Sequence, residues 1–569
     1  MGRVFPLDRS LLMGALFTLG ISLRGAMMAK KLAITVSGAV SLGSYEAGVM
    51  YEIVHAIRQH NESPDTAAED RILIDVLTGA SAGGMTATIL AQRLMFQADA
   101  LEGAYSNSLY TPWVKDVDIL GLLAEQPGES PTKSILSSKF VEDISRRYLT
   151  SRYQSHADPP RTHHSAAADK IWLGLALSNL NGVDYKVDTW PKGEFVYTRF
   201  QDELKVLIEN AASDDSMDVW EPLRNAAVSC GAFPFAFSAV EVIRHKFEYD
   251  SPNLESQILP TQNFCYTDGG VFQNEPLGMA KDLVDKIDPQ HVDTENRYYL
   301  FVSHGAKKSV ASSELNAGNA DFLPFGSRLA TAIFNQAGFQ DWIMAEKVNS
   351  QIDLFNKRAL DLASILKEKA DPAEFVNCLE AAAKLLLPIL FKNAGGDASI
   401  NAARNRLKKQ FATEYNGLPG GVSDTWVDAI LVLETAAQMG KRDEMQILAI
   451  TSDASELAGA DLHAFGGFFD FKYRKHDYDV GRDKAQTFLL DPSCPLGKIN
   501  FSPENIDVID HTLDNLKLEA MDRSIREDVY SRLHDRCLHI LSEAGVNKFE
   551  AIGAFDIIIG PKLKRLLKL

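Results

Sequence analysis

The chain has 569 residues, 46% hydrophobic and 24% charged, the composition of a globular protein with a large core rather than a disordered or fibrous one. A formal net charge of −18 speaks against nucleic acid as a partner and against adsorption of the whole body to an anionic bilayer. Cys230, Cys265, Cys378, Cys494 and Cys537 form no C-x-x-C pair or disulfide framework, and no His/Cys/Asp/Glu cluster has ligand spacing, so no metal and no cofactor are expected.

At the N-terminus, Arg3 and Arg9 precede an apolar run from Leu11 to Leu23, short for a bilayer span but matched to a signal-peptide core. Two readings stay open. Residues 1–29 act as a signal segment and the protein is exported, or translation starts at Met27 or Met28 and the protein is cytoplasmic or peripheral on a membrane. Leu32 to Ser37 is a buried-strand run, followed by a glycine-bearing loop and a helix with Tyr45, Val49, Ile53 and Ile57 on its apolar face. A second apolar run, Ile72 to Leu77, leads into Gly79-Ala80-Ser81-Ala82-Gly83 and a helical pattern through Met85, Ile89, Leu90 and Leu94. Residues 119–133 and 151–168 read as loops flanking a helix from about Ile135 to Tyr148. Ile171 to Leu177 and Tyr298 to Ser303 read as strands. A helical region runs from about Arg328 to Thr435, with breaks at Asp371-Pro372 and Pro388. Met445 to Thr451 returns to strand character, and the tail beyond about 486 is helical and charged. Strands separated by helices predict an α/β core with a central, mostly parallel sheet and helices on both faces, plus a helical insertion and a helical C-terminal extension.

The chemistry concentrates at three turns. Gly79 to Gly83 is strand, sharp turn and helix with Ser81 at the turn, the arrangement of a nucleophile elbow, where Gly79 and Gly83 give the backbone room. The loop Ser37 to Gly43 opens a helix and presents N–H groups to an anion, as a phosphate cradle or as an oxyanion hole. Its spacing fits no nucleotide motif, and the elbow one strand later favours the oxyanion hole. Asp268-Gly269-Gly270 is a tight turn able to aim a carboxylate at a serine that needs a base. Ser81, Asp268 and His304 also follow the Ser…Asp…His order of an α/β-hydrolase triad, although only one strand precedes the elbow.

The loop Ser37 to Gly43 with Glu46-Ala47-Gly48-Val49, the elbow, the segment Ala226 to Pro234 and Asp268-Gly269-Gly270 occur in the order of the patatin-like phospholipases, which residues 32–305 resemble. Phe465-Gly466-Gly467-Phe468-Phe469-Asp470 through Tyr473-Arg474 to Gly481-Arg482 resembles the long C-terminal extension of a bacterial subgroup. The resemblance implies a serine acyl hydrolase of lipid or phospholipid esters at a membrane or micelle surface. Ser81 would be the nucleophile, Asp268 the base, and the N–H groups around Gly38, Ala39 and Val40 the oxyanion hole. It implies a patatin-like catalytic domain over residues 31–310, completed by a strand near 444–452. An N-terminal apolar segment (1–30), a helical insertion (311–440) and a C-terminal extension (453–569) surround it. The loop departs from the family pattern at Gly38-Ala39-Val40, usually three glycines, and at Leu42, usually basic. That departure keeps open a scaffold or effector with little turnover. Asp470, Arg474, Asp477 and Arg482 read either as a structural ion-pair network or as a substrate clamp. The basic end from Lys562 to Leu569, with its interleaved leucines, reads either as a helix end or as a peripheral membrane contact.

Overall fold

A computed structural model describes residues 29–569 except 131, 155–159, 190–192, 250–252, 257, 290–295, most of 306–339, 369–372, 392–396, 420–421, 437–444, 461–463, 544 and most of 548–558. The apolar segment before residue 29 and the break at Asp371-Pro372 lie outside the described residues. The elements in chain order are β1 (Lys30–Val36), α1 (Gly43–Glu62), β2 (Ile72–Gly79), α2 (Ser81–Phe96), α3 (Ile119–Leu123), α4 (Ser138–Leu149), β3 (Ala167–Thr189) and β4 (Gly193–Glu209). There follow α5 (Met217–Cys230), β5 (Val240–His245), β6 (Thr261–Asp268), α6 (Leu277–Ile287) and β7 (Arg297–Ser303). Five helices come next, α7 (Gln340–Glu368), α8 (Ala373–Leu390), α9 (Asp397–Gln410), α10 (Ala412–Gly417) and α11 (Val422–Ala436). The chain closes with β8 (Ile447–Thr451), α12 (Phe471–Leu490), α13 (Arg523–Glu543) and α14 (Gly560–Leu566).

The sheet order is β5-β6-β3-β2-β1-β7-β8, with β4 paired to β3. β1 pairs in parallel with β2 and β7, β2 with β3, and β7 with β8, while β3–β4, β3–β6 and β5–β6 are antiparallel. The expected mostly parallel α/β core is the one observed. β1 and β7 are apolar on both faces because helices cover both, so their sequences run as continuous hydrophobics instead of alternating. Parallel pairing puts the carboxyl ends of β1, β2 and β3 at one edge of the sheet, where such folds place their sites.

Several readings of the sequence need correction. The strand read at Ile171 to Leu177 continues to Thr189 and returns as β4, a ribbon whose polar-interrupted outer half lacks the apolar continuity that marks a buried strand. Within the stretch read as a loop at 119–133, Ile119–Leu123 is helical, started by the Asp118 side chain accepting the Gly121 N–H at 2.8 Å. Pro388 does not end its helix, which runs to Leu390, because a proline in the last turn forfeits only one hydrogen bond. The tail is helical only in part: between Leu490 and Arg523 it has short turns alone.

Nor do the four charged residues of the extension form one network. Asp470 caps α12 through the Lys472 N–H at 2.8 Å. Arg474 donates to the carbonyls of Val114, Gly467 and Phe468, and Asp477 accepts the N–H groups of Ala458 and Gly459. Arg482 pairs with Glu52 of α1 at 3.0 Å, both side chains fully buried. Arg474, through Val114, and Arg482, through Glu52, tie the extension to the core, while Asp470 and Asp477 bond within the extension, and α12 lies directly on α1. A Cβ at Gly48 would strike the Tyr478 carbonyl, and one at Gly481 would strike the Tyr45 carbonyl, so the two backbones meet where both helices carry glycine. The helices α7–α11 have their own apolar cluster, built on Leu366, Leu387, Leu407, Phe411, Trp426 and Ile430.

Candidate active site

β2 ends at Gly79, Ala80 stays extended, and Ser81 enters α2 with φ +50°, a left-handed conformation that costs an L-residue roughly 1–2 kcal/mol. Neighbouring contacts hold it there. Ala80 N–H donates to the Val36 carbonyl at 3.2 Å, and Gly84 N–H donates to the Ala80 carbonyl at 3.1 Å. A Cβ at Gly79 would lie 2.6 Å from the Gly83 backbone, and one at Gly83 would strike the carbonyls of Val36 and Ser37. The two elbow glycines are therefore steric requirements.

Asp268 is the last residue of β6, opposite Leu177 of β3. Its N–H donates to the Ala232 carbonyl at 2.9 Å, and its carbonyl accepts the Ser178 hydroxyl at 2.7 Å. Of its carboxylate oxygens, one accepts the Gly270 N–H at 2.7 Å and the other accepts the Ser81 hydroxyl at 2.6 Å. Burial, opposed by the hydrogen bonds from Ser81 and the Gly270 N–H, raises the carboxyl from 3.8 to about 7. A carboxylate poised near neutrality is a serviceable proton acceptor where an ordinary aspartate is a weak one.

The loop between β1 and α1 passes over this pair. A Cβ on Gly38 would sit 3.0 Å from the Ser81 Cβ and inside the Asn274 side chain. The Gly38 N–H is already used, donating to the Asn274 carbonyl at 3.1 Å. Among the described residues no acceptor takes the N–H groups of Ala39 and Val40. Val40 has φ +53°, rare for a β-branched residue. The extension fixes the loop from behind: the Ser41 hydroxyl donates to the Ala464 carbonyl and accepts the Gly467 N–H at 3.0 Å. Leu42 is buried against Gly459, so this chain spends the usually basic position on packing with the extension. Beneath the loop, fully buried Glu46 accepts the Ser37 hydroxyl at 3.2 Å, and burial pushes its carboxyl well above the usual range.

A cavity of about 850 Å³, counted with its open mouth, lies over Ser81 and is almost wholly apolar. Val40, Met85, Trp113, Ile144, Phe233 and Phe468 are among its walls. Among the described residues no histidine lines it, and His304 does not join Ser81 and Asp268 there. The positions of α4 that face it, Val141, Ile144, Ser145, Tyr148 and Leu149, follow helical i, i+3, i+4, i+7, i+8 spacing, a signal visible in the sequence but with nothing there to name its partner. Ser41, Ser178 and Asn274 have no such signal, since each acts through hydrogen bonds to a segment far along the chain.

Residues 34–281 match the family model of patatin-like phospholipases. Over those residues this chain is similar to the patatin-like phospholipases. That match is to a family of lipid hydrolases, and the matched stretch holds the elbow, the loop after β1 and Asp268 within its bounds. "Uncharacterized protein y4iI" of Sinorhizobium fredii is 23% identical over 333 residues, covering 46% of this chain and 46% of that protein. The alignment thus spans about half the length of that relative. The crystal structure of VipD from Legionella pneumophila aligns over 95% of this chain and 82% of that one, at 10% identity and a TM-score of 0.25, too low to argue from.

Proposed function

We propose that this protein hydrolyses lipid or phospholipid acyl esters by a Ser81–Asp268 dyad. The observation that carries the reading is the 2.6 Å hydrogen bond from Ser81, which lines an apolar cavity, to the buried carboxylate of Asp268. In this mechanism Asp268 takes the Ser81 proton as Oγ attacks the ester carbonyl. The tetrahedral oxyanion is met by the N–H groups of Ala39 and Val40, each such donor being typically worth about 3–4 kcal/mol. Collapse expels the alcohol, which leaves with the proton held by Asp268 and gives acyl-Ser81. Asp268 then deprotonates a water that attacks the acyl carbon, and the second collapse returns the proton to Ser81 and frees the fatty acid. Gly38 shapes this hole without donating to it, because its N–H already has an acceptor.

The apolar walls suit an acyl chain, and Ser145 and Tyr148 are the other side chains there with a hydroxyl. Within this proposal residues 31–310 with the strand at 444–452 form the catalytic domain. Residues 311–440 are an insertion and 453–569 an extension that backs the oxyanion loop. A second reading, a scaffold with little turnover, draws on the engaged Gly38 N–H, which leaves the hole one donor poorer than three free N–H groups.

A fluorophosphonate probe separates the two. Labelling of the intact chain that disappears in Ser81→Ala supports the hydrolase, and folded protein that takes no label supports the scaffold. Activity surviving in Asp268→Asn, or lost in His304→Ala, would overturn the dyad.

A further inference from the structure

β3 does not end where the site does. It pairs with Asp268 at Leu177, swings out through Asn179–Gly182, and resumes pairing with β4 from Val183–Arg199 to Thr189–Gly193. At about 3.3 Å per residue this outer ribbon extends roughly 20 Å beyond the active-site edge of the sheet. Its β4 half stands clear of the body, with Gly193 to Phe200 all exposed on both faces, while its β3 half is edged by residues 253–256 through the Lys186 N–H to the Asn253 carbonyl at 2.8 Å.

The two faces differ. Side chains opposite one another share a face, so Val187 lies with Phe195 and Tyr185 with Tyr197, whose rings stack at 5.9 Å between centroids. Phe195 is 61% exposed, Val187 47% and Tyr197 41%. On the other face charges answer one another. The Thr198 hydroxyl donates to Asp184 at 2.7 Å, and Lys186 lies 3.8 Å from Glu194 and 3.6 Å from Glu255. At the base of the ribbon Phe200 stacks on Phe272, four residues after Asp268 (6.5 Å between ring centroids). Phe200 stands on the Thr198 face, since a Cβ at Gly182 would meet both side chains, so it carries apolar surface to the edge of the site on the opposite side of the ribbon from Phe195 and Tyr197. Phe235, 85% exposed, belongs to the loop that sends Phe233 and Phe237 into the cavity wall.

We propose, resting on the lipid-ester reading above, that this ribbon docks the protein on an uncharged or zwitterionic lipid surface, laying Val187, Phe195 and Tyr197 into the interface beside the site. Tyrosine and phenylalanine on one face of an element otherwise neutralised by its own ion pairs is interfacial chemistry. The absence of a cationic cluster on the described ribbon, in a chain of net charge −18, selects against anionic headgroups. The leucines of the basic C-terminus do not compete for this role as a free stripe: Leu567 is buried, Leu563 and Leu569 pack beside it, and Arg526 holds the carbonyls of Leu567 and Lys568.

The test uses the full chain carrying Ser81→Ala, so that no hydrolysis is needed. Co-sedimentation with phosphatidylcholine vesicles should persist in 0.5 M NaCl and weaken at least tenfold when Phe195→Ser and Tyr197→Ser are added. In the Ser81 background the same two changes should leave hydrolysis of a soluble short-chain ester within twofold, with an unchanged melting curve. Undiminished vesicle binding by the double variant overturns the proposal, as does binding that requires phosphatidylserine and vanishes in salt. So does a ribbon variant that turns a dimer into a monomer while still sedimenting with vesicles. If the soluble ester is not cleaved by any form, the hydrolase reading fails while the vesicle result stands by itself.

Discussion

Asp268→Asn should make the protein more stable while removing its activity, and the gain should depend on pH. The carboxyl moves from 3.8 in the unfolded chain to about 7 in the fold, driven by burial. The native state therefore holds the proton more tightly than the unfolded state. Stability from this group is complete below about pH 4, is lost as pH rises through 7, and stays lost above. Roughly three pH units at about 1.4 kcal/mol each amount to about 4 kcal/mol by pH 8. An amide of the same shape never ionises, can still accept the Gly270 N–H, and can donate to Ser81, so it avoids that cost. At pH 5.5 about half of the cost has yet to appear, so the advantage of the Asp268→Asn variant over wild type should be about 2 kcal/mol larger at pH 8 than at pH 5.5. Urea unfolding of both proteins at the two pH values measures this directly. A gain equal at both values, or a variant less stable than wild type at pH 8, would refute the account of a buried, costly carboxylate.

The same carboxyl sets a rate: phosphonylation of Ser81 by a fluorophosphonate, with loss of fluoride, should rise about tenfold between pH 6 and pH 8, following ionisation of a group near 7. A flat profile would remove Asp268 as the base. Ser41→Ala deletes the bonds to Ala464 and Gly467 and should slow acylation about tenfold, for a stability loss of about 1–2 kcal/mol by urea unfolding. Acylation at the wild-type rate would mean the loop holds its shape without the extension. Ile144→Trp narrows the cavity and should raise the preference for butyryl over palmitoyl esters at least tenfold, read from kcat/KM for the two, with no change expected if the acyl chain lies elsewhere.

The parts legible in the sequence are those whose physics is local. Gly79 to Gly83 announces itself because a left-handed Ser81 needs small neighbours, and β1, β2, β7 and β8 announce themselves as short apolar runs, β-branched in β1, β2 and β8 and aromatic in β7. Asp268 could be picked out because a Gly-Gly turn follows it. What stayed hidden depends on partners far along the chain. The engagement of the Gly38 N–H comes from Asn274, 236 residues away, and the burial of Leu42 comes from Gly459. The outer half of β3 and β4 could not be read as strand because β4 is exposed there on both faces and β3 meets the short distant stretch 253–256, so no buried face imposes an alternation that a reader could find.

The meeting of α1 and α12 through Gly48 and Gly481 settles where this polypeptide can be cut. Removing everything after the sheet is completed would expose a helix whose backbone is bare at Gly48 and whose buried Glu52 has lost Arg482. Such a fragment should collapse onto itself or precipitate. The shortest autonomous piece has to reach Glu504, because Cys494, Leu496 and Ile499 are buried in the main core and Glu504 accepts the Tyr51 hydroxyl at 2.9 Å, and the exposed stretch around Val508 is the first position at which a protease site or a reporter can be inserted without opening the active-site loop from behind.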